Sequence, residues 1–191
     1  MSQITSLEQL NELYDKPHPL ALDKEINQLE QHAIRFIEHS PFALISTTDP
    51  RGFADISPRG GNPDFIKVLD NNTIAFADAG GNNRLDSLKN IIANAEIGVL
   101  LMIPGIGEVL RLKGTATLHT DNALLEQFTD NKTPKLVVKI HVNTLYFHCP
   151  RAIALAKIWH QDSHIDRAFL PSLLRIIQDQ SNDTQTQPIT G

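Results

Sequence analysis

Between residues 42 and 148 the chain is a series of strand-like segments, most of them separated only by turn residues, with no sustained alternation of strands and helices. The stretch 108–119 is the clearest of them. Leu110, Leu112, Gly114, Ala116 and Leu118 fall on one face, and Val109, Arg111, Lys113, Thr115 and Thr117 fall on the other. Residues 42–48 and 53–57 read as a hairpin around Asp49-Pro50-Arg51-Gly52, and 65–69 and 73–76 read as a pair around Asp70-Asn71-Asn72. The apolar run 97–103 suits a strand covered on both faces, and 136–142 and 144–148 supply two more. Strands in series predict a closed antiparallel barrel of mainly β, α+β character, with flanking helices, and not a doubly wound parallel sheet.

Helical periodicity is confined to the ends and to short connections. Ser6 and Gln9 form a capping-box pair ahead of Leu7, Leu10, Leu13 and Tyr14, and a longer helix is expected over 23–38 with Ile26, Leu29, Ala33, Phe36 and Ile37 on one stripe. Further helices are expected over 121–128, 152–159 and 170–177. The expected organisation is a helical extension over 1–40 packed on a barrel over 41–160, a C-terminal helix over 161–180, and a polar, mobile tail over 181–191.

Composition removes several functions. A net charge of −5 over 191 residues argues against nucleic acid as a partner, which normally requires a basic face. Cys149 is the single cysteine, so no intrachain disulfide forms, and the polar amino terminus reads as neither a signal peptide nor a membrane span. A cytoplasmic location is expected. No paired carboxylates or Ser-His-Asp order points to hydrolysis, and neither a dinucleotide-binding glycine fingerprint nor a Walker lysine is present. His148 beside Cys149, and His160 with His164, lack further ligands at zinc spacing, so no metal is expected.

One stretch carries chemistry. A strand over 73–76 runs through Ala77 and Asp78 into Gly80-Gly81-Asn82-Asn83-Arg84 and then a short helix bearing Leu85, Leu88 and Ile92. Glycines let backbone amides turn outward, a helix start leaves N–H groups unpaired, asparagines can cap it, and Arg84 offers a planar fork to phosphate oxygens. An ordinary strand-to-helix turn with a solvated arginine fits the same residues. Arg59, behind Ser57-Pro58 where proline should end a ladder, stands at a sheet margin either as a surface residue or as a second anion contact.

The order of these segments resembles a known family. The runs 43–48, Asp-Ile-Ser-Pro-Arg-Gly at 55–60, Gly-Asn-Asn-Arg-Leu-Asp-Ser at 81–87, Pro104-Gly105 before Val109-Leu110-Arg111, and His148-Cys149 are similar to the pyridoxamine 5′-phosphate oxidase-like, FMN-binding split-barrel proteins, over roughly residues 25–160. More narrowly they resemble the branch of FMN-dependent enzymes within it. The resemblance implies a six-stranded antiparallel split β-barrel, a homodimer, and FMN in clefts built from both subunits. It places Asn82, Asn83, Arg84 and Ser87 at the phosphate, with asparagines where many relatives have serine and arginine, and Arg59 as the replacement charge. Ser57, Pro58, Ala77 and Asp78 would meet the flavin ring edge. Arg111, and Trp159 from the partner chain, are further cofactor contacts it implies. Three charge-assisted bonds of ~1.5–3 kcal/mol each do not clearly exceed the ~4–15 kcal/mol lost on association, so the ring must be buried between two barrels.

The oxidase proper grips its substrate with a carboxyl-terminal segment containing arginine and histidine, whereas this chain ends in glutamine, asparagine and threonine. The expected activity is therefore that of an FMN-dependent oxidoreductase acting on an unidentified small molecule, with a nicotinamide donor as one source of electrons. A flavin carrier, or a relative holding haem or a deazaflavin, fits the same motifs.

Overall fold

Among the residues described by the computed structural model (3–78, 80–81, 83–128 and 134–186), seven strands form one antiparallel sheet. They are β1 (Phe42–Thr48), β2 (Ala54–Gly60), β3 (Ile66–Asp70), β4 (Thr73–Ala77), β5 (Glu96–Met102), β6 (Val109–His119) and β7 (Val137–His148). Their spatial order is β2-β1-β5-β6-β7-β4-β3. The expected six-stranded barrel differs in two respects. The strand count is seven, and β2 and β3, at the two ends of the order, are not paired to each other, so backbone bonds do not close the sheet.

One apolar cluster nevertheless draws on strands from both halves of that order. Ala43 and Ile45 of β1, Ile66 of β3, Phe76 of β4, Leu101 of β5 and Ile140 of β7 belong to it, so the sheet wraps a shared interior. A smaller cluster of Ala75, Leu124, Leu125 and Val137 lies on the opposite face of β4 and β7, under α5 (Asn122–Leu125).

The expected strands 136–142 and 144–148 are a single strand with a bulge. Lys113 pairs with Thr144 and Gly114 with Val142, which leaves Asn143 as the extra residue. Before the bulge Val138, Ile140 and Val142 face the core, and after it Leu145 does, with Phe147 packed against the cluster. One inserted residue has reversed the phase. Gly114 is required opposite it, because a Cβ there would strike the carbonyl oxygen of His141 and come within 2.9 Å of Ile140 Cγ2.

The helix expected over 23–38 is interrupted. Only its second part is helical: α2 (Pro19–Asp23) ends where the expected helix begins, residues 24–30 are not helical and include a bridge in which Ile26 and Leu145 exchange backbone bonds of 3.0 and 2.8 Å, and α3 (Gln31–His39) follows. Glu30 starts α3 by accepting from the amides of His32 and Ala33 at 2.8 and 2.7 Å. Ala33, Phe36 and Ile37 are buried, and Phe36 meets Phe147 edge to face at 5.4 Å. In α1 (Leu7–Asn11), Ser6 accepts from Gln9 N as the capping box requires, and the Gln9 side chain returns to the amide of Thr5.

The sheet is followed by α6 (Arg151–Ala156), which ends the first of two units, Met1–Ala156. The second, Lys157–Gly191, contains two single 3₁₀ turns and α7 (Leu173–Thr186). That helix extends into the stretch expected to be a tail, whose last residues, 187–191, lie outside the described residues.

Two outcomes are expected. Gly114→Ala should destabilise the protein by about 1–3 kcal/mol in urea unfolding, because backbone must move to admit a methyl group. The β1–β2 turn should respond to acid. Asp49 accepts from the amides of Phe53 and Arg51 at 2.9 Å and from the Arg51 guanidinium at 2.7 Å, which holds its carboxyl below the usual carboxylate range. A pKa lower in the folded state gives stability that is present above the unfolded value of about 3.9 and is lost as pH falls through the lower, folded value. Unfolding curves should therefore show Asp49→Asn with a shallower acid dependence than the parent below about pH 4.

Candidate functional site

Because β2 pairs only with β1, Pro58 fits inside it without breaking a central ladder, and the strand runs on to Gly60 where sequence reasoning ended it before Arg59. Along β2 every second residue, Asp55, Ser57 and Arg59, is half-buried, while Ala54, Ile56, Pro58 and Gly60 are exposed. Their β1 neighbours in register are Thr47, Ile45 and Ala43, all buried, so a polar row stands beside the core at the open side of the sheet.

That row forms one wall of a cleft of about 490 Å³. The end of β4, the loop beyond it and the start of α4 (Asp86–Ala93) form the rest, with Phe65 and Phe76 as its aromatic surface. In the loop Gly80, Asn83 and Leu85 have φ of 70°, 59° and 60°, and two of these are not glycine. Leu85 occupies the cap position of α4 with no side-chain cap bond, so the expected asparagine cap is not what starts this helix. A left-handed backbone does so instead, and the first amides of α4 are left without a side-chain acceptor at the cap.

Arg59 is half-buried, and its Nη1 donates to Ser57 Oγ at 2.5 Å and to the Pro58 carbonyl at 2.7 Å, both on its own strand. Burial pushes its pKa down and the carboxylates of Asp78 and Asp55 oppose that shift; a guanidinium so placed remains charged. Arg84 is exposed and pairs through Nε and Nη2 with Asp86 Oδ2, each at 2.8 Å. Two bonds fasten the helix to the sheet. Ser87 Oγ donates to Asp55 Oδ2 at 3.3 Å, and the buried Asn90 amide donates to Thr47 Oγ1 at 3.0 Å.

The cleft brings together Ser57, Pro58, Arg59, Ala77, Asp78, Asn83, Arg84 and Ser87 of the residues singled out in the sequence. Asn82 lies outside the described residues. Arg111 is elsewhere: it is on the outer face of β6, in a second cavity of about 680 Å³, with its guanidinium 5.1 Å from the Tyr146 ring centroid. The outer-face neighbours in that row are Leu44, Leu100 and Tyr146, and His148 Nδ1 nearby is buried without a hydrogen-bond partner. Trp159 belongs to the second unit. Sequence reasoning missed Asp55, Asp86 and Phe65 as lining residues, although the alternation Asp55-x-Ser57-x-Arg59 held the signal for the first. Among the described residues no group of three or more His, Cys, Asp or Glu is arranged to hold a metal, and no helix is long and apolar enough to cross a membrane.

Residues 29–149 match the family model described as pyridoxamine 5′-phosphate oxidase. Solved structures agree in fold. HupZ from Group A Streptococcus is 22% identical with a TM-score of 0.52, covering 62% of this chain and 93% of that one. A candidate pyridoxamine 5′-phosphate oxidase from Lactobacillus delbrueckii is 17% identical with a TM-score of 0.50, covering 63% and 95%. Comparison with curated proteins finds no match.

Thr47→Val should leave the Asn90 amide buried without an acceptor and cost about 1–3 kcal/mol in denaturant unfolding, with the near-isosteric side chain keeping the packing.

Proposed function

The chain belongs to the pyridoxamine 5′-phosphate oxidase family, and on that premise we propose that the cleft between β2 and α4 binds FMN in a homodimeric, FMN-dependent oxidoreductase built on the family's split barrel. The observation that carries this reading is Arg59. A charged guanidinium is half-buried at the cleft and, among the described residues, is bonded only to oxygens of its own strand and has no ion pair within 4 Å, beside a helix start that has no side-chain cap. Such a pair of features suits a phosphate. The donors fit the group: Arg59, Arg84, Ser87 and the amides opening α4 would hold the phosphate, while Ser57, Pro58, Ala77 and Asp78 would border the rings, with Phe65 and Phe76 as apolar surface.

The cleft volume lies in the range of small-molecule sites. Its opening at the edge of the sheet is where a second subunit would complete it, and Trp159 would then act from the partner. When bound, FMN supplies two-electron transfer at its ring. The residues of the chain bind, orient and shield it; a small-molecule substrate and a nicotinamide donor are the reactants expected.

Titrating the protein with FMN while following flavin fluorescence tests this. Arg59→Ala and Arg84→Ala should each weaken binding about ten- to a hundredfold, the loss of one charge-assisted bond, with unfolding midpoints close to the parent's. Parent-like affinity in both variants would overturn the phosphate assignment. Anaerobic bleaching of the loaded protein by NADH or NADPH would identify a reductase, and indifference to both would identify a carrier.

A further inference from the structure

We propose that the amino-terminal arm, residues 3–15, docks on the outer sheet face of a second copy of this chain. The inference rests on the homodimer part of the reading above and is independent of flavin.

The arm carries a set of exposed apolar side chains. Leu7 is 74% exposed, Leu13 62% and Tyr14 71%, with Ile4 and Leu10 also exposed, and α1 buries none of its residues. A row of this kind on a surface segment marks a contact. Its charges have one sign: Glu8, Glu12 and Asp15, with no base until Lys16.

The outer face of β1, β5 and β6 offers the complement. Leu44, Leu100 and Met102 form its apolar bed, Ile56 of β2 is 67% exposed beside it, and Arg111 and Lys113 are the charged residues lining the cavity. Neither cation has an ion pair within 4 Å among the described residues. An acidic apolar segment and a basic apolar groove thus stand unsatisfied on the same molecule. The arm is rooted beside the groove, since Lys24 Nζ lies 4.7 Å from the ring centroid of Tyr146, a groove residue, and Ile26 is bridged to Leu145. When two such faces meet about a two-fold axis, each arm starts at the seam and crosses to its partner's groove.

A charge exchange tests the contact and its direction. One chain carries Glu8→Lys with Glu12→Lys, and the other carries Lys113→Glu; all three positions are exposed, and circular dichroism melts should match the parent. In sedimentation equilibrium on full-length protein, the parent should be a dimer and each variant alone should dissociate at least tenfold more readily. An equimolar mixture should associate at least tenfold more tightly than either variant alone, because each arm then meets an opposite charge at position 113. A monomeric parent, variants that associate like the parent, or a mixture that gains nothing, which would place the contact within one chain, each overturns the proposal. Flavin content, read separately by absorbance, distinguishes its failure from that of the cofactor reading: a colourless dimer that obeys the exchange leaves the arm in place and removes FMN.

Discussion

A strand that ends a sheet and still turns polar side chains inward sets the terms for the rest of this molecule. Asp55, Ser57 and Arg59 stand in register with Thr47, Ile45 and Ala43, so each lies one strand away from the dry interior. Burying a charge without compensation is costly, and the fold meets that cost by leaving the sheet unclosed at this side. The cleft results from that choice, with α4 held across it by Ser87 and Asn90. Its electrostatics are balanced, not uniformly basic: Arg59 is opposed by Asp55 and Asp78, and Arg84 by Asp86. On the proposed reading an anion would be held there by geometry and local donors, compatible with a net charge of −5 over the whole chain.

Much of this was legible in the residues. Alternation in 108–119 placed Leu110, Leu112 and Ala116 inside, and the turn residues placed the β1–β2 hairpin correctly. The grouping of Arg59 with Arg84 and Ser87 came from the family resemblance and from no local pattern, and the cleft does bring the three together. Three features were not legible. The phase reversal in β7 depends on pairing with β6, a relation between residues some thirty positions apart that no local pattern encodes. The break in the helix expected over 23–38 depends on the tertiary bridge from Ile26 to Leu145, which overrode a sound apolar stripe. The start of α4 uses a left-handed leucine, a conformation local propensity disfavours.

That leucine bears on how the site is held. Non-glycine residues at positive φ cost of order 1–3 kcal/mol each, and they persist where surrounding structure over-determines them. Asn83 and Leu85 both do so within three residues, next to an arginine paired with the first residue of the helix. On the proposed reading, a backbone held this way would lower the entropy lost when a ligand binds.

The single unpaired residue of β7 has a wider consequence. Were the strand regular through Asn143, with no bulge, strict alternation would send Tyr146 and His148 into the oily interior and Leu145 and Phe147 out to water. The insertion therefore works as a gearshift: it lets one continuous ribbon keep Val142 and then Leu145 and Phe147 toward the sheet's interior while Tyr146 and His148 take the other face.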